Sequence, residues 1–224
     1  MGNLLHSVRA GMPSIYKKPS DGSGEEELLF QTKMQVMPMG WSPDGQFLIF
    51  WQNDPKMLSD LWILPLDDKK PRGFLNTPFN ESHGQISPDG KWIAYLSNES
   101  GQTEVYVSSF PSGSGKKQVS LNGGTFPRWR ANDGKEIFYL TSQFGGKMMA
   151  VEVKTSGPKL DFGTPKELFD SQFQNFSHPG HTGNWHTYAV SPDGQRFLIP
   201  RPVSQQVPGA SVTVVLNWTA LLKR

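Results

Sequence analysis

The chain has 224 residues, 22 basic against 20 acidic side chains, a formal net charge of +2 and no cysteine. Its basic residues are dispersed, which argues against a nucleic-acid partner, since phosphate binding needs a concentrated positive face. Lack of cysteine excludes disulfides and thiolate chemistry and leaves the compartment open.

Aromatic residues make up 12% of the chain, with 23 glycines and 18 prolines, a balance that favours many short strands joined by tight turns. No apolar run approaches the ~20 residues that a bilayer-spanning helix needs, so no membrane insertion is expected. The opening "MGNLLHSVRAGMPS" has no long apolar stretch after a basic start and does not read as a secretory signal.

In chain order, "NLLHS" and "SIYKKP" (14–19) read as a first hairpin, followed by an outer strand, "ELLF" (27–30). A turn-and-strand unit comes next, "WSPDGQFLIFW" (41–51), then "LWILPL" (61–66) and "GFLN" (73–76). The pattern returns as "ISPDGKWIAYLS" (86–97), "VYVSSF" (105–110) and "KQVSL" (117–121). It returns again as "WRANDGKEIFYLT" (129–141), "MMAVEV" (148–153) and "ELFD" (167–170), and last as "VSPDGQRFLIP" (190–200) and "VTVVLN" (212–217).

The Asp-Gly glycines Gly45, Gly90, Gly134 and Gly194 are spaced by 45, 44 and 60 residues. Pro presets φ, Asp bonds its own backbone and Gly accepts a positive φ, so each copy is a hairpin turn. Four short antiparallel strands in about 45 residues is the size of a propeller blade. The expected fold is an all-β propeller of about five blades, either a complete irregular ring or an incomplete six-bladed one. Its units fall near 1–35, 36–80, 81–122, 123–172 and 173–224, in one domain. Asp44, Asp89, Asp133 and Asp193 are read as turn residues satisfying local donors, on turns expected to lie far apart on successive blades.

The stretches "SPDGKWIAYLSNESGQTEVYVSSFP", "GGTFPRWRANDGKEIFYL" and "SPDGQRFLI…VTVVLNWTALLKR" resemble the TolB-like, WD40-like propeller with SPDG repeats. The resemblance is greatest to the C-terminal propeller region of bacterial serine/threonine protein kinases of the acidobacterial type. It implies a six-bladed ring in a longer relative, and a bacterial cytoplasmic or periplasmic setting. Related propellers occur beside prolyl-oligopeptidase-type peptidases. The chain has no Gly-rich phosphate loop, HRD, DFG or G-x-S-x-G motif, so neither kinase nor peptidase chemistry carries over to it.

Two groups of candidate site residues stand out. His83 and Arg128 fall on or just before inner strands, where side chains line a propeller's channel or its mouth. His178, His181 and His186, with Trp185, lie in "FSHPGHTGNWHTY" (176–188), a weak candidate for a metal site because imidazole is a common ligand. Their spacing matches no zinc signature and no paired carboxylate stands nearby, so no cofactor is expected. The remaining tryptophans are read as inter-blade packing. The favoured function is a non-catalytic scaffold that binds a protein, peptide or small ligand. A hydrolase working through the His-rich stretch is the alternative, and self-association through unpaired blade edges is another.

Overall fold

The computed structural model describes residues 2–8, 11–53, 59–75, 77–142, 146–156, 159–171 and 188–200. These residues form antiparallel sheets without a helix. The first sheet holds β1 (Gly2–Ser7), β2 (Ser14–Pro19) and β3 (Glu27–Gln31), in that order. The second runs β4 (Gln35–Trp41), β5 (Phe47–Asn53), β6 (Ser59–Pro65) and β7 (Arg72–Leu75). The third repeats it with β8 (Glu81–Ile86), β9 (Trp92–Ser97), β10 (Glu104–Ser109) and β11 (Lys117–Gln118).

The fourth sheet departs from the four-strand expectation. After β12 (Thr125–Trp129) and β13 (Glu136–Leu140), β14 (Lys147–Ser156) is long enough to pair twice. Its first half takes β16 (Lys166–Asp170), the expected outer strand, and its second half takes an extra strand, β15 (Lys159–Phe162). β17 (Ala189–Val190) and β18 (Phe197–Leu198) begin a further sheet.

Period-two alternation divides each middle strand between two cores. Leu48 and Phe50 pack toward the first sheet with Ile15, Leu29 and Val36, whereas Ile49 packs toward the third with Ile93 and Tyr95. Ala94 and Leu96 then face Trp129, Ile137 and Tyr139, and Phe138 and Leu140 face Tyr188. Every residue of β9 is buried, as expected of a strand covered on both faces. Four cores in chain order, each between consecutive sheets, exclude two opposed layers. The first strands also lie side by side, β4 against β8 and β8 against β12, so the sheets converge on a common axis. The chain is a β-propeller of several blades.

The turns behave as the sequence implies. In the second sheet Ser42 Oγ donates to Asp44 Oδ1 (2.5 Å), which also accepts from Gln46 N, while Ser42 Oγ accepts from Phe47 N (2.9 Å). Ser87 with Asp89, and Ser191 with Asp193, repeat this set. The hydroxyl of Ser42 holds Asp44 below the usual carboxylate range, and Ser191 does the same for Asp193. Where Ser is missing, Arg130 takes over and donates from Nε to Asp133 Oδ1 (2.7 Å).

One expectation fails. The turns are not far apart, because each rests on its predecessor. A methyl group placed at Gly90 would lie 3.7 Å from Pro43 Cδ, one at Gly134 3.3 Å from Pro88 Cδ, and one at Gly194 3.0 Å from Arg130 Cδ. Asn132 N donates to Pro192 O (3.0 Å), joining the turns of the last two sheets. First strands that converge on an axis bring their ends together. Even so, the Asp-Gly corners remain architectural, with their carboxylates occupied locally.

Candidate functional site

His83 lies in β8 and Arg128 in β12, the first strands of the third and fourth sheets. β4, β8 and β12 each contain a β-bulge. Register slips by one residue between Pro38 and Gly40 in β4, between Ser82 and Gln85 in β8, and between Thr125 and Arg128 in β12. Bulges re-aim side chains and recur beside functional sites.

In two of these bulges a side-chain-bearing residue takes a left-handed backbone. His83 has φ 56° and Phe126 has φ 54°, at equivalent positions of neighbouring sheets. Left-handed conformation is unfavourable for residues with a Cβ, and for a bulky aromatic it is a genuine outlier. The two rings meet edge to face, with centroids 5.0 Å apart at 73°. The His83 imidazole is also fixed by Nδ1 against Ser82 Oγ, at 2.9 Å.

Arg128 follows Phe126 by two residues and pairs with Phe138 across the sheet, as Gln85 pairs with Ala94 one sheet earlier. It is half-buried. Burial lowers its guanidinium from the ordinary arginine value, while Tyr188 acts in the opposite direction. The side chain nonetheless stays cationic at neutral pH. Tyr188, itself buried, donates its hydroxyl to Phe126 O (2.9 Å) and so fastens the next sheet to the strained residue. Burial pushes the Tyr188 phenol far above its usual value, leaving it a neutral donor.

Of the expected site residues, His83 and Arg128 lie in the bulged stretches of neighbouring first strands, with Phe126 against the imidazole and Tyr188 acting on the guanidinium. His178, His181, Trp185 and His186 lie outside the described residues. Phe126 and Tyr188 were not anticipated. A Tyr or Phe just ahead of an Asp-Gly turn reads as core from sequence, and both are buried in the core beside Phe138 and Leu140. Counting back from Gly134 also misplaces this strand by one residue, because the third turn is longer. Arg130 N reaches Glu136 O, where Ser42 N reaches Phe47 O.

Two shallow clefts lie elsewhere. One of about 430 Å³ is lined by Lys17, Pro19, Trp41 and Leu66, and one of about 470 Å³ by Lys117, Val119, Leu121 and Phe162. The half-buried His83 and Arg128 offer an imidazole and a cation. Such a set can hold an anionic or aromatic group, and the Ser82 hydroxyl stands within hydrogen-bond reach of the His83 imidazole. Among the described residues no group of three His, Cys, Asp or Glu is placed to hold a metal ion, and no helix is long and apolar enough to cross a membrane.

No family model matches the chain. Among curated proteins it is 25% identical over 203 residues to an uncharacterised protein of Agrobacterium fabrum, covering 88% of this chain and 65% of that one. It is 27% identical over 187 residues to dipeptidyl-peptidase 5 of Porphyromonas gingivalis, covering 79% of this chain and 27% of the peptidase. The chain thus spans less than two thirds of either relative. Among solved structures, TolB from Acinetobacter baumannii superposes with a TM-score of 0.66 at 18% identity, over 90% of this chain and 46% of TolB. An oligogalacturonate lyase in complex with manganese superposes at 0.59 with 16% identity, over 85% of this chain and 51% of the lyase. These likenesses define the class: a β-propeller. Within that class the fold is TolB-like.

Proposed function

We propose that the chain is a non-catalytic binding propeller that takes a peptide or protein ligand at a rim formed by His83 and Arg128 and held in place by the buried Phe126 and Tyr188. One observation carries this reading. Two neighbouring first strands hold a bulky residue in the left-handed region at the same place, with the rings in contact. Backbone strain of about 1–3 kcal/mol per residue concentrates at ligand clamps and functional sites. Arg128 would pair with a carboxylate or another anionic group, and the half-buried His83 ring would receive an apolar or aromatic side chain. The resemblance to propellers that follow kinase segments supports a sensing role within a longer protein.

The hydrolase alternative stands on His178, His181 and His186, which lie outside the described residues. The binding reading is tested by panning a displayed peptide library on the intact chain and titrating a selected peptide. Arg128→Ala is expected to weaken binding about tenfold or more, in line with loss of a buried arginine anchor. Unchanged affinity would place the ligand elsewhere.

A further inference from the structure

Glu81 opens β8, two residues before His83, and is 1% exposed. Burial of a carboxyl is costly unless it is paired or neutral. Its Oε1 accepts from Thr77 Oγ1 (2.6 Å) and Ser97 Oγ (3.3 Å). Its Oε2 is buried with no hydrogen-bond partner among the described residues. The charged groups acting on it are Asp60, at the start of β6 in the preceding sheet, and Glu99, in the loop after β9. Both are acidic, and Glu99 is already held by Lys116.

The surroundings form a seam. β6 and β8 pack together across the second and third sheets. Ser59 N, beside Asp60, donates to Asn80 Oδ1 (3.2 Å), and Asn80 N donates to Asn98 Oδ1 (2.9 Å). Glu81 therefore sits where the preceding sheet, its own sheet and the connection into β8 meet. The corresponding place in the next sheet holds Gly124, and there Glu104 accepts from Ser120 Oγ and from Gly123 N (2.8 Å). That seam is closed by one carboxylate with its own donors. The Glu81 seam brings two carboxyls together.

We infer that this seam is a proton-operated latch, closed when the Glu81 carboxyl carries a proton and loosened, together with the start of β8 and His83, when it ionises. Desolvation, with Asp60 and Glu99 adding repulsion, raises the Glu81 carboxyl to about 7. The sign follows from proton binding. Below the ordinary glutamate value both folded and unfolded chains hold the proton, and pH has no effect through this group. Between that value and about 7 only the folded chain holds it, so stability falls as pH rises; above about 7 the penalty is complete.

Amide hydrogen exchange of the intact chain at pH 5.5 and pH 8.0, corrected for intrinsic rates, tests the latch on a peptide spanning 77–86. Wild type should exchange there roughly tenfold faster at the higher pH, with β10 changing little. Glu81→Gln, which keeps the acceptor for Thr77 and Ser97, should abolish the difference, and Asp60→Asn should reduce it. His83→Asn should keep it, which separates Glu81 from the imidazole. Equal pH responses in wild type and Glu81→Gln, or loss of the response in His83→Asn, would overturn the inference. Should Glu81→Gln not fold, carboxyl-carbon NMR of wild type decides. A Glu81 midpoint near 7 supports the latch, and one in the ordinary glutamate range refutes it.

Discussion

Trp129→Ala is expected to lower the unfolding free energy by about 3–5 kcal/mol, measured by urea denaturation at neutral pH. Trp129 is 8% exposed and packs with Trp92, Val105, Ile137 and Tyr139 in the core between the third and fourth sheets. Its Nε1 donates across that seam to Gln85 O (2.9 Å). Truncation therefore opens a cavity and strips a backbone carbonyl of its donor. Trp129→Phe keeps most of the volume and loses the bond, so a cost of only about 1–2 kcal/mol is expected. Similar costs for the two variants would mean that the ring's packing is not what joins these sheets.

Gly123→Ala, a change of one methyl group, is expected to cost about 2–4 kcal/mol. Gly123 has φ 101°, and an added Cβ would meet the backbone oxygen of Thr141 at 2.8 Å. The oxygen belongs to a chain segment that cannot swing aside as a side-chain tip could. Relief by moving Gly123 would in turn pull its amide from Glu104. Gly101 is the control, with φ 92° and nothing within 4 Å of the added Cβ. Gly101→Ala should cost only about 1–2 kcal/mol, the backbone contribution alone. If the two substitutions cost the same, the contact with Thr141 is not decisive.

What could be read from sequence was local. The Ser-Pro-Asp-Gly corner is held within six residues by Ser42, Asp44 and the Phe47 amide, so its form follows from its own side chains. Alternation in "FLIFW" and "EIFYL" likewise marks residues that face opposite seams, and it correctly implied stacked sheets. β15 was legible but overlooked, since the polar stretch after Val153 precedes an alternating "KLDF" whose Leu160 is buried beside Val151. Contacts between successive turns were not legible, because distance from the axis is a property of the assembled sheets. The same holds for the rim. His83 and Arg128 were placed by counting repeats, but the bulge that sets the Phe126 backbone depends on pairing with β13 and on Tyr188 bonding its carbonyl. Glu81 reads as a surface acid, and only its neighbours bury it.

The affinity of His83→Gly for a peptide selected on the wild-type chain bears most directly on a rim built from strained residues. Glycine accepts a φ of 56° without penalty, which offsets the lost contact with Phe126, so the melting temperature should stay within about 3 °C of wild type. Binding should nonetheless fall about tenfold or more. A folded His83→Gly chain that binds as tightly as wild type would contradict the assignment of function to this rim.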